Sequence, residues 1–355
     1  MTGTDRMAYN FLRELQSIDQ QNTYWVITNK NCDFITRVIT APNFKVYPIQ
    51  IEHRAVWLLF WLPWQLLRLK AQTFFSFHNL GGPSIKACRM VSSALDIYPV
   101  LYPDTYFPDK VRRYVILGNM RRAAKAADKL LAISRFTKQS VVSQYGVDPS
   151  KIEVVYLQAD PKFFDHSEPV KMAQVRQQYQ LPKQFVLAMG GTEPRKNAAT
   201  VIKAHQGLPD HLRQSFPLMI TGAKWHNREV DLQDDPYVCL TGFVEEADLP
   251  TLYQLAALFI FPSLYEGFGM PVLEAMASGT PVVTSATTSL PEVAGKAAVL
   301  VDPQDTASLT AAIQECLDKP TKLSEMRQAG YEQLKNFSWH AAAVQLHRLL
   351  VGDQD

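Results

Sequence analysis

The chain has 355 residues, more than a single hydrophobic core usually fills, so two domains are expected. Apolar residues make up 47% and charged residues 20%, which excludes a disordered or fibrous chain, and a formal net charge of +2 argues against a nucleic-acid partner. Cys32, Cys88, Cys239 and Cys316 form no CxxC pair, so neither a zinc site nor a disulfide framework is indicated and a reducing cytoplasmic setting fits best.

The amino terminus, MTGTDRMAYNFLREL, lacks the apolar centre of a signal peptide. Short β-branched or aromatic runs then alternate with helical patterns, which predicts parallel sheets built from βαβ units. In the first half the predicted strands are 23–28 (TYWVIT), 45–49, 73–78 (TFFSFH), 88–94, 130–134 and 152–157 (IEVVYL), with helices over 109–127 and 136–145. The apolar run 55–67 (AVWLLFWLPWQLL) is too short to cross a bilayer and is interrupted by Pro63, so it reads as a buried helix. A polar stretch, 160–180, is the linker candidate. The alternation resumes with strands at 185–190, 217–222, 237–242, 257–263, 281–285 and 297–301, and helices opening near Asn197, after Asp248 and after Pro271. Two doubly wound α/β domains are therefore expected, facing each other across a cleft, with ligands at the carboxyl ends of their strands.

The richest segment is 261–302, FPSLYEGFGMPVLEAMASGTPVVTSATTSLPEVAGKAAVLVD. Glu266 follows an apolar strand and sits beside Gly267, Phe268 and Gly269, where glycines let backbone N–H groups approach a ligand. Pro271 suits the first turn of a helix that Gly279 ends, and an anion at that amino terminus would meet unpaired N–H donors. Glu274 lies eight residues after Glu266, so two carboxylates are placed to accept hydrogen bonds from a ribose and a hexose. A second element, GGTEPRKN (190–197), lies on a strand-to-helix turn. Gly190 and Gly191 open the backbone, Asn197 reads as an N-cap, and Arg195 and Lys196 bring two cations that would stabilise a departing diphosphate.

These residues resemble the retaining GT-B glycosyltransferases of the E-x7-E family, glycosyltransferase family 4, which holds bacterial polysaccharide mannosyl-, rhamnosyl- and glucosyltransferases. The signature is Glu266 to Glu274 within EGFGMPVLE, supported by TGFVEEADLPTLYQLAALFIFPS, SLPEVAG, GGTEPRKN and AISRFTKQSVVSQYGVDPSKIEVVYLQADPKFF. The resemblance implies two Rossmann-like domains: an acceptor domain over 1–165, a donor domain over 166–338 and a carboxyl-terminal helix over 339–355 that packs back on the first. It implies that Glu266 contacts the donor sugar and Glu274 the ribose, and that Lys196 with Arg195 holds the diphosphate. Gly190, Gly191, Gly242, Phe243 and Gly267 to Gly269 would complete the donor site. Transfer would retain anomeric configuration without a metal or cofactor. The co-substrate would be a GDP-, UDP- or dTDP-hexose and the acceptor a glycan or a lipid-diphosphate glycan, in surface polysaccharide synthesis.

Three departures from the family pattern stand out. Gly191 replaces an arginine of many relatives, so Arg195 would substitute for it. In ALDIYPVLYPDTYFP (94–108) Leu95 stands where relatives carry a histidine, leaving Asp96, with His78 as the nearest substitute; this points to altered activity or sugar choice. The chain also begins where relatives have finished a first strand and entered a glycine-rich loop, here Thr2-Gly3-Thr4, so the start is late or the first sheet lacks a strand. Lys110, Arg112, Arg113, Arg121, Arg122, Lys125 and Lys129 form a basic run that reads as a solvated face or as docking to an anionic membrane surface, which would place the enzyme peripherally on the inner face of a membrane. The alternatives are a catalytically silent sugar-nucleotide-binding or scaffold subunit and a synthase making a soluble glycoside. No G-x-G-x-x-G follows a strand, which disfavours a dehydrogenase.

Overall fold

The computed structural model describes residues 3–29, 33–49, 57–83, 85–107, 109–190, 193–222 and 235–352, and every structural statement concerns these. The chain divides into two compact units, residues 1–157 with 338–355, and residues 158–337.

The first unit opens with a helix, α1 (Gly3–Ile18), so Gly3 and Thr4 are helical rather than the remnant of a loop. Met7, Phe11, Leu12 and Leu15 are buried along it, the spacing of one apolar helix face. Strands β1 (Tyr24–Asn29) and β2 (Phe44–Ile49) form a parallel pair. Of the apolar run expected as a buried helix, Ala55 and Val56 lie outside the described residues, and the rest is a π-turn (Trp57–Trp61) followed by a helix (Leu62–Arg68). Leu62 and Leu66 are buried there, whereas Phe60, Trp64 and Leu67 are exposed, because only one side of the segment is covered. Strands β3 (Thr73–Ser76), β4 (Arg89–Ala94), β5 (Lys129–Ala132) and β6 (Ile152–Val154) form a parallel sheet in that order. Between β4 and β5 lie two single-turn helices, α2 (Tyr98–Leu101) and α3 (Pro103–Tyr106), and the long α4 (Lys110–Ala126). Helix α5 (Arg135–Tyr145) follows β5, capped by the Ser134 side chain accepting from Thr137 N–H and closed by left-handed Gly146.

The second unit is one parallel six-stranded sheet in the order β12-β11-β10-β7-β8-β9. Its strands are β7 (Val186–Met189), β8 (Leu218–Thr221), β9 (Val238–Gly242), β10 (Leu258–Phe261), β11 (Val282–Ser285) and β12 (Ala298–Val301). Read from β7, this is the 3-2-1-4-5-6 order of dinucleotide-binding sheets, and the order reverses between β7 and β10. All four residues of β8, β10 and β11 are buried, as strands covered by helices on both faces require. Helices α6 (Ala198–Gln206), α7 (Leu249–Leu255), α8 (Met270–Ala277) and α9 (Leu290–Ala294) flank the strands that carry the chemistry below.

The chain returns to the first unit through α10 (Trp339–Val351). There Trp339 meets Phe11 edge-on at 5.5 Å, Thr73 Oγ1 donates to the Leu350 carbonyl at 2.8 Å, and His347 Nε2 lies 2.9 Å from the buried Asp19 carboxylate. No helix among the described residues is long and apolar enough to cross a membrane.

Candidate active site

The loops after β7 and β10 emerge side by side where the strand order reverses, and each carries one part of the expected site. After β10 the chain passes Ser263 and Glu266 and enters α8 through Gly269. Gly269 has φ +117, and a Cβ there would meet Leu290 Cδ2 at 2.7 Å, so any other residue would be strained in this turn. Pro271 occupies the first turn of α8, where no N–H partner is needed.

After β7 a short 3-10 turn, Pro194–Lys196, aims both cations at that loop. Lys196 Nζ lies 2.7 Å and Arg195 Nη1 2.8 Å from the same Glu266 oxygen, Oε1, to which the Ser263 hydroxyl donates at 3.0 Å. Lys196 also sits 4.7 Å above the Phe261 ring, while Arg195 reaches Glu193 at 2.6 Å and donates to the Tyr265 carbonyl. Glu266 is only 7% exposed. Burial pushes its carboxyl up, but the charges of Lys196 and Arg195 outweigh burial and hold it below the ordinary carboxylate range. Glu266 is thus a buried carboxylate held by two cations.

Asn197 occupies the N-cap position of α6 as expected, but its side chain accepts no backbone N–H there. Its backbone is left-handed, φ +59, which asparagine tolerates. Its side-chain amide donates to the carbonyls of Pro262 at 3.1 Å and Pro303 at 2.7 Å, and its oxygen accepts from the Thr200 hydroxyl at 2.7 Å. It therefore fastens the cationic turn to the β10 loop, a role invisible in the local sequence.

Buried hydroxyls that the sequence reading did not single out hold the same loop. Ser285 donates to the Ser263 carbonyl at 2.6 Å and Thr284 to the Phe261 carbonyl at 2.8 Å, while the single Ser263 hydroxyl proton is shared between Glu266 and the Arg195 carbonyl, 2.9 Å away. Ser289 reaches the carbonyls of both Glu266, at 2.9 Å, and Phe268, at 2.7 Å. No described peptide bond is cis, so each amide N–H points opposite to the carbonyl of its own peptide unit. Ser289 thereby turns the N–H groups of Gly267 and Gly269 away from itself. Phe268 is buried and packs edge-on against Phe337 at 6.0 Å, which anchors the turn from the other side.

Glu274 lies on α8, 3% exposed, with the Tyr253 hydroxyl donating to it at 3.4 Å. Gly190 directly follows β7, its N–H donating to the Thr221 carbonyl at 2.7 Å, and Gly242 ends β9 with φ +71, followed by exposed Phe243. Gly191 lies outside the described residues. So does Asp234, while its neighbour Asp235 is paired with Arg213 at 2.8 Å. Glu266, Arg195 and Lys196 are thus in direct contact, and Gly190 and Gly242 lie at the carboxyl ends of the strands on the two sides of β8.

In the first unit, His78 is exposed in the turn after β3 and Asp96 lies two residues past β4. Asn79 ties the two segments together: its amide donates to the Asp96 carbonyl at 2.7 Å and its oxygen accepts from Leu95 N–H at 2.9 Å. Tyr145, at the end of α5, has a buried hydroxyl; burial, and then the Asp96 charge, push it up to about 12.

Comparison with known proteins points the same way. A family model described as "Glycosyl transferases group 1" matches residues 172–333, and one described as "Glycosyltransferase Family 4" matches residues 1–163. The chain is 33% identical over 264 residues to an O-antigen chain mannosyltransferase B of Escherichia coli, covering 72% of this chain and 68% of that one. It is 30% identical to a serotype-specific mannosyltransferase of the same organism, spanning 33% of that longer protein. Among solved structures, WaaG, a glycosyltransferase involved in lipopolysaccharide biosynthesis, superposes with a TM-score of 0.73 at 17% identity over 99% of this chain and 97% of that one. An Anabaena protein, HepE, solved with UDP and glucose, gives 0.73 at 18% identity over 99% of this chain and 96% of that one.

Proposed function

This chain belongs to the glycosyltransferase family defined by those two models and has its GT-B fold, and on that premise we propose that it moves a hexose from a nucleoside-diphosphate hexose to a glycan acceptor in surface polysaccharide synthesis. The observation that carries the reading is the convergence of Glu266, Arg195 and Lys196 at the reversal point of the second sheet. In the reaction the bond from the anomeric carbon to the diphosphate breaks and one to an acceptor hydroxyl forms. The hydroxyl proton leaves with the diphosphate, on the same face, so configuration is retained. Arg195 and Lys196 offset the negative charge that grows on the leaving diphosphate, and the N–H groups turned by Ser289 add fixed dipoles. Glu266 holds the sugar and Glu274 the ribose. Gly190, Gly242, Phe243, Gly267 and Gly269 line the nucleotide, and no metal is required.

The mannosyltransferase relatives and the UDP-bound structural neighbour make mannose and glucose donors the first to test. The experiment is a thermal-shift screen over nucleoside diphosphates and their hexose conjugates, followed by a turnover assay with and without EDTA. Stabilisation by one such conjugate, with transfer that survives EDTA, is expected. Binding without turnover would favour the silent binding subunit that Leu95 suggests, and no binding would refute the reading. Exposed Lys110, Val111, Tyr114, Val115, Arg121 and Lys125 on α4 support peripheral docking to an anionic membrane. Salt-sensitive capture by anionic vesicles is expected, and indifference to lipid charge would refute the docking.

A further inference from the structure

Asp96 is followed by a run of tyrosines that the donor chemistry leaves unused. Tyr98 and Tyr102 lie with ring centroids 4.9 Å apart, and Tyr98 and Tyr106 meet edge-on at 6.2 Å. Tyr102 is 47% and Tyr106 56% exposed, whereas the next ring, Phe107, is buried and contacts Tyr106 edge-on at 5.2 Å. The platform is pre-shaped by the backbone. Pro99 and Pro103 open α2 and α3, fixing φ in each single turn, and the Asp96 carboxylate accepts from Tyr98 N–H at 3.1 Å. Asp104, on α3, is tied to Arg113 of α4 at 2.5 Å.

Large apolar rings left half in water need a reason, and their surroundings narrow it. The rings stand just past the carboxyl end of β4, the side of a parallel sheet where ligands gather. Their flanking charges are the carboxylates of Asp96, Asp104 and Asp109 and the cations Lys110 and Arg113, of which Arg113 is paired with Asp104. Such a near-balanced rim draws neither an anion nor a cation strongly and suits a neutral partner rich in hydroxyl groups. A tyrosine offers a rigid apolar face with one polar tip and only two side-chain torsions to freeze. A pyranose offers the complement, an apolar C–H face edged by hydroxyls.

We propose that Tyr98, Tyr102 and Tyr106 form a stacking platform for the sugar rings of a neutral oligosaccharide acceptor, with Asp96 accepting hydrogen bonds from its hydroxyls. This rests on the glycosyltransferase reading and adds where, and by what contact, the acceptor is held. The platform selects for ring faces rather than for a single hydroxyl pattern. It therefore favours an acceptor of several linked sugars over a monosaccharide.

The test is calorimetric titration of the full chain with mannotetraose and with maltotetraose, for the parent, Tyr102→Ala, Tyr106→Ala and the Phe variants at both positions. Binding of one tetrasaccharide is expected, weakened roughly tenfold by each Ala variant and changed less than about threefold by each Phe variant, because the ring face and not the hydroxyl makes the contact. Circular dichroism and the thermal shift given by a nucleoside diphosphate show that the variants remain folded. A parent that binds neither sugar, or Ala variants that bind as the parent does, would overturn the proposal. So would loss of capture by phosphatidylcholine–phosphatidylglycerol vesicles with sugar binding intact, which would assign the tyrosines to lipid. If the parent binds a tetrasaccharide yet transfers no hexose from any nucleotide conjugate, the glycosyl-transfer reading fails while the platform stands.

Discussion

Replacing Glu266 with glutamine keeps the side chain's volume and removes one buried charge. Lys196 Nζ and Arg195 Nη1 approach one oxygen at 2.7 and 2.8 Å, so the two cationic nitrogens lie roughly 5 Å apart and repel by about 3 kcal/mol at an effective dielectric constant of about 20. Glu193 still offsets Arg195, but Lys196 loses the carboxylate it pairs with. Breaking a buried pair from one side costs about 3–5 kcal/mol, which lowers the melting temperature of a unit this size by roughly 6–20 °C. An added diphosphate relieves the same repulsion. Glu266→Gln is therefore expected to melt early when empty and to bind a nucleoside diphosphate about tenfold more tightly than the parent, while turnover collapses. Differential scanning fluorimetry with and without the nucleoside diphosphate, joined to calorimetric titration, reads both quantities. A variant that melts with the parent and binds no more tightly would refute the view that Glu266 occupies the diphosphate's cations.

Four further outcomes follow from the same geometry. Glu274→Ala is expected to weaken nucleotide binding roughly tenfold through loss of a buried hydrogen-bond acceptor, read by titration. Ser289→Ala frees the carbonyls of Glu266 and Phe268, so kcat should fall about tenfold with a smaller change in donor KM, and Ser289→Thr should recover part of it. Gly269→Ala forces a side chain into φ +117 against Leu290 and should cost about 1–3 kcal/mol in urea denaturation. Burial lowers the pKa of His205 below 6.5 although its Nε2–H donates to the Phe216 carbonyl at 3.0 Å, so the unfolded chain takes up the proton first. Stability is thus full above pH 6.5 and declines below it, with a second loss under 4.5 as Glu266 is protonated; His205→Gln should remove the upper step in denaturation curves across pH.

Much of this was legible because the second unit obeys simple rules. Runs such as FVLAMG and ALFIFPS are strands buried on both faces and read as unbroken apolar stretches. Glu266, Arg195 and Lys196 stood out as charges beside glycines at strand ends, where a sheet of this kind exposes its loops. What stayed hidden depends on neighbours distant in sequence. The targets of Asn197 lie 65 and 106 residues away, and the carbonyls fixed by Ser289 lie 23 and 21 residues back. Helix α1 was missed because Thr2-Gly3-Thr4 looked like a loop remnant, whereas the apolar face of Met7, Phe11 and Leu15 decides the matter. The 55–67 run showed an apolar surface but not which side of it would be covered. The tyrosine platform needs two one-turn helices in series, a geometry that the prolines permit but do not announce.

The most direct test is a crystal structure with a nucleoside diphosphate bound. The account predicts diphosphate oxygens within about 3 Å of Lys196 Nζ and the Arg195 guanidinium, Glu266 released from one or both cations, and the ribose on Glu274. A diphosphate bound elsewhere, with the Glu266 pairings intact, would contradict it.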